Sequence, residues 1–194
     1  MIIKKAVYRI SVANKKDILN DNVPEFAFVG RSNVGKSSII NMLTNNKGLA
    51  KASSTPGKTR LVNYFDINDN FRFVDLPGYG YAKVGKGHLD VWSGLIGEYL
   101  QNSESLLTVF VLLDIRHLPT VLDKQMIEYL VYNNLPFKIL ATKCDKIAKS
   151  KVNSYIAQIA KELNLREEIF IRTSSVTGEG KDKILSYIDN LLGN

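Results

Sequence analysis

Cysteine occurs once, at Cys144, so the chain can form no internal disulfide and has no thiolate cluster to hold a metal. Histidine occurs twice and tryptophan once, at Trp92. Long apolar runs are missing as well. The longest, Leu106–Leu113, is interrupted by Thr108 and is far too short to span a bilayer. Lys4 and Lys5 near the N-terminus are not followed by the apolar core of a signal peptide. These absences agree on a reducing cytoplasm and no membrane. Acidic residues are also in short supply, 19 against 26 Lys and Arg, giving a net charge of +7. No stretch reads as a basic amphipathic helix lying on a surface, so a polyanion such as nucleic acid suits this charge better than a membrane. The alternative is that the charge serves solubility alone.

What is present is the material of one domain. The 194 residues can bury a substantial core, and 45% hydrophobic with 23% charged residues is ordinary for a globular protein. Short apolar runs alternate with longer amphipathic segments, the pattern of a mostly parallel sheet covered by helices. Strands are predicted at Glu25–Gly30, Leu61–Ile67, Phe71–Asp75, Leu106–Asp114, Phe137–Thr142 and Glu168–Thr173. Helices are predicted at Ser37–Asn46, near His88–Gln101, and at Thr120–Asn133, Ser150–Leu163 and Lys181–Leu192. The turn residues Asn68, Asp69 and Asn70 make the second and third strands a hairpin, so one antiparallel edge is expected on a six-stranded sheet with five helices. Residues 1–24 form an extension without an assigned role, and 25–194 a single three-layer α/β domain.

Four segments, each at the C-terminal end of a predicted strand, carry the chemistry. Gly30-Arg31-Ser32-Asn33-Val34-Gly35-Lys36-Ser37 matches G-x-x-x-x-G-K-[ST] between a strand and a helix. Its glycines let backbone N–H groups turn inward around phosphates, Lys36 reaches the β- and γ-phosphates, and the Ser37 hydroxyl suits Mg²⁺. Asp75-Leu76-Pro77-Gly78 follows about 40 residues later. Asp75 can hold Mg²⁺ through water, and the Gly78 N–H can approach the γ-phosphate. Thr142-Lys143-Cys144-Asp145 ends another strand: Asp145 can accept from guanine N1–H and the exocyclic amine, donors that adenine lacks. The Lys143 stem can cover the base, Thr142 stands where Asn is commoner, and Cys144 is read as packing. Ser174-Ser175-Val176 can offer backbone N–H to guanine O6. A further Mg²⁺ ligand is sought in Ser53–Arg60, where Thr55 and Thr59 both qualify chemically. Gly57, Lys58, Thr59, Arg60 and Leu61 are placed at the nucleotide with it. Together these imply a P-loop, Ras-like fold that binds GTP and GDP and hydrolyses GTP.

With GRSNVGKSSIIN, STPGKT, DLPGYGYAKV, TKCDK and DIRHLPTVLD in order, the chain resembles the bacterial GTPases that include Era and TrmE, and most closely the EngB (YsxC/YihA) family. The resemblance covers essentially everything from Glu25 onward. It assigns the remaining magnesium ligand to Thr59 rather than Thr55. It implies a role in assembly of the large ribosomal subunit, contact with ribosomal RNA, a need in cell division and septation, and a monomer. It also implies that Asn33 helps bind K⁺ beside the phosphates, where an arginine finger would otherwise act. Tyr79 stands where Ras-type GTPases carry the glutamine that orients water, so intrinsic turnover is expected to be slow. Arg31 is read as a surface or structural residue, His117 as packing or capping, and Trp92 as core. Lys36, Asn33, Thr59 and Gly78 are the expected catalytic residues.

Two other functions compete. A small-molecule kinase on a P-loop core is disfavoured by the guanine-reading context of Asp145 and the lack of an arginine-rich lid. The other is a GTP-dependent RNA- or ribosome-binding module in which hydrolysis is incidental. For either RNA reading, Lys47, Lys51, Lys58, Arg60, Arg72, Lys83 and Lys86 outnumber Asp66, Asp69 and Asp75 in and around the proposed switches.

Overall fold

The computed structural model describes residues 1–51, 61–79 and 94–193. Its centre is β2 (Glu25–Gly30), whose EFAFVG sequence lacks apolar–polar alternation because both of its faces are buried. Parallel neighbours lie on each side: β4 (Phe71–Asp75) and β5 (Leu106–Asp114). Beyond β5 come β6 (Phe137–Thr142) and β7 (Phe170–Arg172), also parallel. On the other side β3 (Val62–Ile67) runs antiparallel to β4 through the expected hairpin. Asn68 and Asp69 take left-handed backbone there, with φ of 50° and 55°.

Among the described residues the sheet has seven strands, one more than expected, and with β1 (Ala6–Val12) at one edge their order is β1-β3-β4-β2-β5-β6-β7. The addition is β1, antiparallel to β3 and inside the segment read as an extension. Its sequence, AVYRISV, gives little signal. Residues Val7 to Ile10 are exposed, and the register shifts between Tyr8 and Ile10, so no clean period of two survives. The segment before it is fastened by Asn68, whose Oδ1 accepts from the Lys4 and Lys5 N–H groups (2.8 and 3.1 Å) and whose Nδ2 donates to Ile2 O.

Helices cover both faces. On one lie α1 (Lys36–Thr44) and α5 (Lys181–Leu191), which pack Ile39, Ile40, Leu43, Ile184 and Ile188 against the phenylalanines of β2, β4 and β5. On the other lie α2 (Leu95–Asn102), α3 (Val121–Tyr132) and α4 (Val152–Glu162). α2 is the described part of the helix expected near 88–101; residues 88–93 fall outside the described ones. Thr120 caps α3 in a reciprocal box with Asp123. The C-terminal ends of β2, β4, β5 and β6 therefore meet along one edge, where ligands settle in open parallel sheets. No helix among the described residues is long and apolar enough to cross a membrane.

Candidate functional site

At the end of β2 the chain turns sharply, with Val34 N donating to Arg31 O (3.2 Å). Asn33 (φ 64°) and Gly35 (φ 106°) both take left-handed backbone, and Gly35 is where glycine is required for it. α1 starts at Lys36 with Gly35 as its N-cap and no side-chain cap, so its first N–H donors keep their capacity for a phosphate. The loop is braced from behind by buried Val34, while Arg31 and Asn33 are exposed. Ser32 and Ser37 are half-buried. The Ser37 hydroxyl has a long contact with Lys51 O (3.4 Å).

The second segment is built onto the first. Leu76 N donates to Phe28 O (3.0 Å) and Tyr79 N to Gly30 O (3.2 Å), which carries the chain past the end of β2. Lys36 Nζ donates to Asp75 Oδ1, and both side chains are largely buried. At Gly78 a Cβ would meet Ser32 Oγ at 3.2 Å and Ser32 N at 3.3 Å, so a side chain would push the two loops apart. Leu76 is core. The Tyr79 side chain is buried, and its hydroxyl donates to Asp123 Oδ1 (2.8 Å) at the start of α3. The phenol thus points into the protein, not toward a phosphate.

The third segment clamps the phosphate loop. The buried Thr142 hydroxyl donates to Val34 O (2.8 Å), with Leu113 O at 3.2 Å. A threonine therefore ties this strand to the phosphate loop where an asparagine is commoner. Lys143, in left-handed backbone, donates to Asn33 O (2.9 Å) and pairs with Asp114 Oδ2 (2.9 Å). Cys144 turns inward, with its thiol raised by burial and its Sγ against Ala141 O, consistent with packing. Asp145 accepts from the Ser174 hydroxyl (2.6 Å), which holds its carboxyl below the usual range, and so it stays ionised at neutral pH.

Ser174 also accepts from the Val176 and Thr177 N–H groups (3.2 Å each), and its own N–H donates to Glu179 O. Among the described residues the Ser175 N–H is the one in this triplet without a hydrogen bond. At this edge the side chains of Asp114 and Ser174 had no expected role: Asp114 was legible as the end of a parallel strand and the first residue of DIRHLPTVLD, and Ser174 through its backbone N–H in a weak triplet.

Other expectations resolve differently. Thr55, Gly57, Lys58, Thr59, Arg60, Lys83, Lys86 and Trp92 lie outside the described residues; Leu61 is half-buried just before β3. His117 is exposed, its N–H bonded to Asp114 O. Arg72 does not belong to a basic surface. It is 4% exposed and held by Asp21 and Asp66, because the strand pairing turns it inward. A surface cavity of about 300 Å³ lined by Asn153, Phe170, Arg172 and Lys183 contains none of the motif residues.

Comparison with known proteins agrees with this geometry. The model of the 50S ribosome-binding GTPase family matches residues 25–143. A probable GTP-binding protein EngB of Prosthecochloris aestuarii is 46% identical over 193 residues, covering 100% of both chains. Another, from Pelotomaculum thermopropionicum, is 47% identical over 194 residues, covering 100% of this chain and 98% of its own. A crystal structure of a probable GTP-binding protein EngB shares the fold, with a TM-score of 0.66 at 24% identity over 87% of this chain and 98% of that one. A P-loop braced by Thr142 and Lys143, an ionised Asp145 beside it and full-length identity to these relatives lead to one assignment: the chain belongs to the EngB family of GTP-binding, GTP-hydrolysing proteins.

Proposed function

We propose that the protein is a cytoplasmic, monomeric GTP-operated switch that binds the large ribosomal subunit during its assembly, on which normal division and septation depend. The observation that carries the reading is the direct seating of the Asp75–Tyr79 segment on the phosphate loop, through Lys36–Asp75 and Gly78–Ser32. A segment resting on the loop that holds the γ-phosphate must respond when that phosphate leaves. The description of the matching family as 50S ribosome-binding, together with the +7 charge, supports a ribosomal partner.

In this reading the phosphates sit on the backbone N–H groups of Gly30–Ser37 and draw Lys36 from Asp75. Asp145 accepts from the two guanine donors, Lys143 covers the base, and the Ser175 N–H serves O6. The hydroxyl of Ser37 and the carboxylate of Asp75 are hard oxygen donors near the start of α1, a set that suits Mg²⁺; Thr59 would add a hydroxyl. Bound there, Mg²⁺ would neutralise charge on the β- and γ-phosphate oxygens. Asn33, exposed beside the phosphate loop, is assigned to K⁺. Water attacks the γ-phosphorus in line with the departing GDP oxygen, while Lys36 and the Gly78 N–H stabilise the equatorial oxygens. Because the Tyr79 phenol is engaged by Asp123, no side chain at that position orients the water, and turnover is slow.

Co-sedimentation of large-subunit particles with the protein loaded with a non-hydrolysable GTP analogue or with GDP tests the switch. The analogue form is expected to bind more tightly, and both forms more weakly as salt rises. Equal binding of the two forms would remove the coupling.

A further inference from the structure

One ion cluster at the nucleotide edge belongs to no nucleotide motif, yet it holds a residue that does. Asp114 ends β5 and stands opposite Thr142 in the β5–β6 register. Both of its oxygens are used. Oδ1 accepts from the Arg116 backbone N–H (3.1 Å) and Nε (2.9 Å). Oδ2 accepts from Arg116 Nη2 (2.7 Å) and pairs with Lys143 Nζ (2.9 Å). Burial works against ionisation, but the paired Arg116 and Lys143 outweigh it and hold the Asp114 carboxyl well below the usual range, so it is charged at neutral pH. The Lys143 ammonium is therefore fixed at two points, Asp114 and the Asn33 carbonyl.

A free lysine stem samples many rotamers, a freedom that binding a base against it would remove. Here that ordering is complete before the ligand arrives, the situation in which affinity is gained by preorganisation. An isolated exposed pair would contribute little. This one differs: its carboxylate is 14% exposed, fully hydrogen-bonded and shared with a forked guanidinium.

The geometry points to Asp114, backed by Arg116, as a positioning residue that sets Lys143 against the phosphate loop and so fixes the base and phosphate subsites in one arrangement. The inference rests on Lys143 lying at the base. It concerns GDP and GTP equally, since neither contact of the Lys143 ammonium depends on the γ-phosphate.

Release of a fluorescent GDP from the full chain tests it. Asp114→Asn, which keeps the shape and loses the charge, is expected to release GDP about tenfold faster. Lys143→Met, which keeps an apolar stem, should do the same. In the Lys143→Met background Asp114→Asn should add less than about twofold, a non-additivity that a merely structural role would not produce. Arg116→Gln, at an exposed position, should quicken release by about threefold and keeps the question answerable if Asp114→Asn fails to fold. Wild-type release rates in both Asp114→Asn and Arg116→Gln would overturn the proposal. So would full additivity with Lys143→Met, which would place the effect in β5 itself. Unchanged release in Lys143→Met alone would instead overturn the placement of Lys143 at the base.

Discussion

At the C-terminal ends of the parallel strands, charged groups are paired across loops: Lys36 with Asp75, Lys143 with Asp114, and Asp145 against the Ser174 hydroxyl. At the opposite ends a second set is closed in by the fold. Asp66, Arg72 and Glu25 stand in one row across β3, β4 and β2. Arg72 reaches Asp21 with both terminal nitrogens (2.5 and 2.7 Å), and Glu25 Oε2 accepts from Tyr99 of α2 (2.8 Å) and Ser103 just after it (3.0 Å). The same residue types thus do different work. At the first end the partners hold one another in positions that a phosphate or a base can take over. At the second, α2 and the chain before β2 cover the row, and its charges serve only to lock elements together.

Two substitutions at the closed end sharpen this contrast. Arg72→Leu leaves Glu25 buried without its cation, 3.9 Å away in the native protein, and removes a partner from Asp21 and from Asp66, which keeps Arg9 at 3.5 Å. Breaking a buried pair from one side costs about 3–5 kcal/mol, so the denaturation midpoint should fall sharply while the folded fraction keeps its GDP affinity. A loss of GDP affinity in the folded fraction would break the separation between the two ends.

Glu25→Gln has a smaller, pH-dependent effect. Burial raises the Glu25 carboxyl above its usual range despite help from Tyr99, Ser103 and Arg72. The native state therefore takes up a proton more readily than the unfolded chain. The cost of the buried charge is fully present above the native-state value and is relieved as pH falls toward the unfolded value. As pH falls from neutral toward the usual carboxylate range, wild type should gain stability relative to Glu25→Gln in urea titrations. A constant difference across that range would mean that Glu25 is not the group under strain.

The contrast also marks what the sequence could reveal. The nucleotide end was legible because its chemistry is local: Gly30 to Ser37 is one turn and one helix start, and Thr142 to Asp145 is one strand end. β2 and β5 were legible because burial on both faces leaves nearly continuous apolar runs, broken inside β5 by Thr108. The closed end was not. Arg72 looked like surface charge because two of its partners, Asp21 and Glu25, are 51 and 47 residues away, and the third, Asp66, is brought to it by the β3–β4 pairing. β1 was missed because an edge strand with Val7 to Ile10 exposed has no continuous buried face to pattern it. Asp114 was missed because its importance lies in holding Lys143, a relation set by β5–β6 register. The expected switch threonine, Thr59, lies outside the described residues and was assigned from resemblance alone.

On the proposed reading, guanine is selected at the edge that holds Asp145. The direct measurement is binding of GDP and of xanthosine diphosphate to wild type and Asp145→Asn. The substitution is expected to weaken GDP by about 2–5 kcal/mol, the cost of truncating a charge-assisted contact, and to strengthen the xanthine nucleotide, whose extra carbonyl suits an amide donor. Unchanged GDP affinity, with no gain for the xanthine nucleotide, would contradict it.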